Sequence, residues 1–268
     1  MLGQTFRRMS VKVDVVLTPA EFPALAARDL SQTTCVVFDV LRATSSMLTA
    51  LNNGAAEIVP VVEISEALAV KKERPEVRLA GERNGLRIRK ELTGSIDFDF
   101  GNSPRDFVRE KVNGKAIAWT TTNGTRALRA CARAEMVLLG GLVNLGAVAD
   151  ILRQLRPRHL VIVCAGTFED AAFEDLFAAG ALIESIRESV QAGAVSDAAQ
   201  LVWRSYLQTG NDFVALIEAS LNARRLLANI DLAPDVPLCL ERNSMQLNAA
   251  LMEDGCVRAM HGFGRKLA

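Results

Sequence analysis

The sequence predicts an α/β protein, a three-layer α/β/α sandwich around a mostly parallel, mixed sheet with a helix-rich C-terminal part. Three observations predict it. Apolar, β-branched runs such as Thr33–Phe38 and His159–Cys164 read as strands covered on both faces, the habit of parallel sheets. Segments with helical spacing alternate with these strands as far as residue 190. Beyond Ser196 the pattern is mostly helical to Leu251, so this part is expected to pack on the sandwich.

Residues 1–10 read as a loose N-terminal segment, and 11–268 as a single domain without a Pro/Gly/Ser linker, repeat or low-complexity tract. Lys12–Leu17 alternates weakly and ends at Thr18-Pro19, as a strand does. After Thr33–Phe38, Thr44–Asn53 places Met47, Leu48 and Leu51 on one helical face, and Gly54 stops it. Glu57–Val62 is strand-like, and Ser65–Glu73 is a short helix opened by a Ser cap. Residues 81–104 are rich in Gly and charge and read as a long loop, a length usually tied to function or disorder. Ala116–Trp119 is a strand, TTTNGT follows, and a helix runs to Ala132. Met136–Leu139 is a strand, Leu145–Leu155 a helix, His159–Cys164 a strand and Phe173–Val190 a long helix. Cys256–Met260 is a candidate last strand.

Composition narrows the function classes. Lys+Arg and Asp+Glu both number 31, so no global basic field exists to drive nucleic-acid binding. The longest weakly polar run, Met136–Ala149, contains Asn144 and three glycines and is too short to span a membrane. The start of the chain lacks the apolar core and cleavage site of a signal peptide. The five cysteines are odd in number and contain no CxxC, so they read as reduced, mostly buried thiols of a cytoplasmic protein. Two histidines, His159 and His261, exclude a multi-histidine zinc site, and both read as surface residues.

In open α/β sheets ligands collect at the carboxyl ends of strands. Four polar clusters fall there. Asp39, Arg42, Thr44 and Ser45 follow the strand TTCVVF. Glu82 and Arg83 follow Ala80-Gly81. Thr120 to Thr125 stand between a strand and a helix, and the backbone N–H groups at that helix start suit an anion. Capping alone explains one such polar residue, not six in a row. Cys164 to Thr167 are followed by Glu174 and Asp175 near a helix start. All-oxygen acids without His or Cys suit Mg²⁺; for each acid taken singly, a helix-terminal role is an equal alternative. Arg42 and Arg83 match phosphate or sulfonate oxygens in a planar two-point fashion, or form ion pairs with adjacent acids.

Other phosphate chemistries are absent. There is no GxxxxGK[ST], no GxGxxG after a strand and no cysteine followed six residues later by Arg. Asp39 follows a strand as in aspartyl-phosphate hydrolases, but Leu41 stands where their second Asp belongs.

The motifs DVLRATS (39–45), AGER (80–83), GNSP (101–104), TTTNGT (120–125), CAG (164–166) and ED…AAG (174–180) together resemble the 2-phosphosulfolactate phosphatases of coenzyme M biosynthesis. The resemblance runs from about Val13 to the last helices and loosens beyond Leu201. It implies a Mg²⁺-dependent phosphomonoester hydrolase with an α/β/α fold and a small anionic phosphorylated substrate, and it leaves a homodimer open. On this reading Asp39, Glu82, Glu174 and Asp175 hold Mg²⁺, with Glu169-Asp170 a competing acid pair. Asp39, Arg42 and Glu82 are the catalytic candidates, Asp39 being either metal ligand or nucleophile. Thr44, Ser45, Arg83, Thr121, Asn123, Gly124 and Thr125 bind the phosphate or the substrate's other anions, and Asn102 and Ser103 lie on a covering loop. The alternatives are a non-catalytic anion-binding or sensor protein of the same fold, and a phosphatase for another phospho-hydroxy acid. Four neighbouring acids favour an enzyme, because a pure anion binder would avoid them.

Overall fold

A computed structural model describes residues 11–210 and 212–260. The expectations for residues 1–10 and for His261 lie outside the described residues. Eleven described strands form one sheet: β1 Val11–Val16, β2 Thr33–Phe38, β3 Glu57–Val61, β4 Arg78–Arg83, β5 Leu86–Arg87, β6 Ala116–Thr120, β7 Met136–Gly140, β8 His159–Cys164, β9 Val190–Val195, β10 Ala249–Leu251 and β11 Val257–Ala259. Their order is β5-β4-β6-β3-β11-β10-β7-β2-β8-β1-β9. Two parallel blocks, β4-β6-β3 and β7-β2-β8-β1-β9, flank the short antiparallel hairpin β10–β11. The sheet is therefore mixed but mostly parallel, with helices on both faces, as the alternation of strands and helices predicts.

β2 is the pivot of the site. All six of its residues are buried, because it pairs in parallel with β7 on one side and β8 on the other. Val36 and Phe38 face one apolar core, while Cys35 and Val37 face the other, so both layers are dry. Asp39 is the first residue after this strand and emerges at the carboxyl edge of the sheet.

The differences from the sequence reading have local causes. The long loop over 81–104 contains the rest of β4, the short β5 and the helix Lys90–Thr93; alternating charge hides their pairing from a periodicity argument. The helix expected over 173–190 ends at Ser185, and the chain turns into β9, which pairs with β1. β10 lies inside the stretch read as helical; it is only three residues long and owes its form to β7 and β11. The helix read as opening at a Ser cap begins at Ile64, where Glu66 Oε2 accepts from the N–H groups of Val62 and Glu63. No helix among the described residues is long and apolar enough to cross a membrane.

Candidate active site

A cavity of about 250 Å³ opens where the loops of the two parallel blocks meet. Asp39, Arg42, Glu82, Asn102 and Asn123 line it, together with Thr122. Its far wall comes from the C-terminal helices and includes Asn222, Arg225 and Asn229.

Asp39 is fixed from two sides. Its Oδ1 accepts from Ala43 N–H at 2.9 Å, and its own N–H donates to Thr44 Oγ1 at 3.0 Å. Across from it, the helix Gly124–Ala130 begins against the carboxylate. A Cβ on Gly124 would lie 2.6 Å from Asp39 Oδ2 and 2.7 Å from Ala43 Cβ. The missing side chain at Gly124 is thus what lets the TTTNGT segment close on Asp39.

Glu82 is held by the other block. Its Oε1 accepts from Thr122 N–H at 2.8 Å and Thr122 Oγ1 at 2.9 Å, and its Oε2 from Gly85 N–H at 2.7 Å. Burial pushes the Asp39 carboxyl up to about 7, with the negative charges of Glu82 and Glu174 adding to it; the Ala43 N–H and Arg42 act in the opposite direction.

Glu174 and Asp175 stand behind the wall. Asp175 accepts from Val40 N–H at 2.8 Å and Gly166 N–H at 3.0 Å, tying the loop after β2 to the loop after β8. Burial, then Glu174 and Asp39, pushes its carboxyl well above the ordinary range. Glu174 accepts from Ser220 Oγ at 2.7 Å and Asn222 Nδ2 at 3.1 Å and so anchors the C-terminal wall. The competing pair lies outside: Glu169 is exposed and bridges to Arg126, and Asp170 turns back onto Thr167.

The arginines separate. Arg42 lines the cavity but is braced from behind, Nη1 donating to Asp235 at 2.6 Å and Nη2 to the Gly85 carbonyl at 2.6 Å. Arg83 is not on the cavity wall. Its guanidinium donates to the carbonyls of Glu82 and Val62 and to Thr120 Oγ1, closing the end of β6. Ser103 also turns away, donating to Asp235 Oδ1 at 2.6 Å. Thr44 and Ser45 are buried and donate to the carbonyls of Gly140 and Val40. Thr121 and Thr125 hydrogen-bond each other across the helix start. Asn123 donates to the Phe168 carbonyl at 2.9 Å.

The C-terminal contribution escapes the sequence reading. Asp235 is fully buried and collects Arg42, Ser103 and Arg105 on one carboxylate. Asn222 donates to the Leu41 carbonyl, locking this wall to the Asp39 loop. Asn222, Arg225 and Asn229 recur three and four residues apart, but Arg224 stands among them and the helix ends at Leu227, so no clean polar stripe marks this wall in the sequence.

The cysteines are all free and buried. Burial pushes the Cys164 thiol well up and the Cys239 thiol up to about 12, so neither suits a nucleophile.

A cavity floored by carboxylates and walled by amides, at the carboxyl edge of a mostly parallel sheet, is the site of an α/β enzyme acting on a small polar ligand. A sequence profile of the family described as 2-phosphosulpholactate phosphatase matches residues 18–253. A probable 2-phosphosulfolactate phosphatase of Caldanaerobacter subterraneus subsp. tengcongensis is 38% identical over 240 residues, covering 88% of this chain and 94% of that protein. Proteins of the same description from Thermotoga maritima and Clostridium novyi are 33% and 31% identical, covering 90% and 88% of this chain and 95% of each relative. The chain belongs to the 2-phosphosulfolactate phosphatase family, a family of phosphoric monoester hydrolases.

Proposed function

We propose that this protein hydrolyses the phosphomonoester of 2-phosphosulfolactate to sulfolactate and phosphate, in a reaction dependent on Mg²⁺. The observation that supports it is the pairing of Asp39 and Glu82 on the floor of one cavity, each supplied by a different block of the sheet. Two buried acids lining one cavity together with the amide side chain of Asn102 call for a cation.

The donor set fits Mg²⁺. Asp39 and Glu82 offer oxygen, and Asn102 Oδ1 on the same wall is buried without a hydrogen-bond partner. Among the described residues no three His, Cys, Asp or Glu side chains form a ready cage. That suits a cation that keeps several waters and takes only one or two carboxylates. Asp39, Glu82 and the Asn102 carbonyl would hold it, and when bound it supplies charge neutralisation at the transferring phosphoryl group.

The chain's own residues do the rest. Ala43 N–H and Thr44 fix Asp39 at the end of β2. Asp175 keeps the loops after β2 and β8 at constant separation. Arg42, braced by Asp235, presents its remaining N–H groups from a fixed position, which favours oriented binding of phosphoryl oxygens. Leu41 lines the cavity where an acid would have to serve an aspartyl-phosphate cycle, so direct attack by water is the route these residues favour. The test is steady-state phosphate release from 2-phosphosulfolactate in chelator and after Mg²⁺ is restored. Activity should vanish and return; full turnover in protein shown to be metal-free would refute the metal assignment.

A further inference from the structure

The cavity wall carries two arginines, Arg42 and Arg225. Arg42 is committed to Asp235 and Gly85. Arg225 differs: among the described residues it makes no ion pair and no hydrogen bond to the protein, and its guanidinium lies over the Phe168 ring at 5.5 Å from the centroid. A guanidinium held over a ring keeps its N–H edge free for an oxyanion. The backbone that carries this ring is tied to the cavity, because the Phe168 carbonyl accepts from Asn123. Arg225 is also exposed, whereas Asp39 and Glu82 are buried on the floor. A phosphoryl group bound at the floor therefore directs the remainder of its ester toward the mouth and Arg225.

The ester in question has three carbons, with carboxylate on the first, phosphate on the second and sulfonate on the third. The sulfonate projects furthest from the phosphate-bearing carbon. It is weakly hydrated and presents oxygens that a guanidinium edge matches in two-point fashion. We infer that Arg225, held on the Phe168 ring, is the residue that recognises the substrate's sulfonate and so sets specificity for a sulfonated phosphoester. The inference rests on the phosphatase reading, and it moves the tail-binding role from Arg42 and Arg83, which the sequence suggested, to a residue of the C-terminal wall.

The experiment compares 2-phosphosulfolactate with 2-phospholactate, which has a methyl group in place of the sulfonated carbon, on wild type, Arg225→Met and Arg225→Lys. In parallel, binding of sulfolactate and of lactate is measured by calorimetry on the same three proteins. Wild type should prefer the sulfonated ester by about 10- to 100-fold in kcat/KM, mainly through KM. Arg225→Met should bring that ratio close to one and weaken sulfolactate binding by about the same factor, with Arg225→Lys between the two. A ratio that survives in Arg225→Met, or an equal loss on both esters, would overturn the assignment. Sulfolactate binding that depends on Arg225 in a protein that releases no phosphate from either ester would uphold the sulfonate contact and refute the phosphatase reading. Sulfolactate binding that is indifferent to Arg225 would refute the contact whatever the turnover.

Discussion

Gly124→Ala places one methyl group where the site has no room for it. The new Cβ would stand 2.6 Å from Asp39 Oδ2 and 2.7 Å from Ala43 Cβ. Both are far inside van der Waals contact, so either the carboxylate or the start of the helix Gly124–Ala130 must retreat by most of an ångström. Overpacking of this kind costs about 1–3 kcal/mol. The exchange of glycine for alanine in a helix returns up to about 1 kcal/mol, because this glycine has ordinary helical backbone and alanine is the better helix former. The net loss of stability is therefore about 0–3 kcal/mol, a fall in Tm of at most about 10 °C. The effect on rate is larger. A displacement near 1 Å at a reacting centre costs about 100-fold. Phosphate release from 2-phosphosulfolactate by Gly124→Ala, measured beside a thermal melt, should show that disproportion. A variant that melts like wild type and turns over at the wild-type rate would show that the placement of Asp39 against this helix has no part in the chemistry.

Asp235→Ala leaves Arg42 buried without its carboxylate, and losing one partner of a buried pair costs about 3–5 kcal/mol, so Tm by calorimetry should fall by about 10 °C. Arg83→Met should lower stability by about 1–3 kcal/mol through its unsatisfied carbonyl partners, with a kcat/KM per folded molecule within a few-fold of wild type; a 100-fold loss of rate would place Arg83 on the substrate. The folded protein holds the Asp39 proton up to about pH 7, more tightly than the unfolded chain does, so metal-free stability should fall as pH rises from about 4 to 7, by at most about 1.4 kcal/mol per pH unit. Mg²⁺ should reverse that fall in melts at pH 7–8, and its apparent affinity should rise with pH up to about 7; a pH-independent affinity between 5 and 7 would refute the role of Asp39 as its ligand. Cys35→Ala with Cys164→Ser should lower stability more than the rate per folded molecule, and loss of turnover in a folded, Mg²⁺-loaded double variant would contradict the idle role of the thiols.

The parallel core was legible because it is written in local pattern. TTCVVF and HLVIVC are continuous apolar runs, and both are central strands with the bounds the pattern predicts. Residues at strand ends were legible for the same reason: once β2 is placed, Asp39 must emerge at the carboxyl edge. Direction was harder to read. Arg42, Arg83 and Ser103 all sit in motif positions near the cavity, yet only Arg42 lines it, and even that side chain is held from behind by Asp235. A motif shows that a side chain is nearby, not which neighbour takes its hydrogen bonds. Asp235 and Arg225 could not be placed from pattern, since they reach the site through packing of short helices whose positions depend on contacts distant in sequence. β9 and β10 were obscure for a related reason, whereas β11 falls within the strand read at Cys256–Met260. The residues of β9 and β10 have weak strand preference, and it is pairing with β1, β7 and β11 that makes them strands.

Release of inorganic phosphate from 2-phosphosulfolactate in the presence of Mg²⁺, by wild type and by Asp39→Asn of matched circular dichroism and melting behaviour, is the most direct measurement. Wild type should turn over, and Asp39→Asn should lose most of that turnover, about 100-fold or more, while remaining folded. A folded Asp39→Asn variant with a near-normal rate would contradict the placement of the chemistry at the end of β2 and reduce Asp39 to a fixture of the neighbouring helix starts.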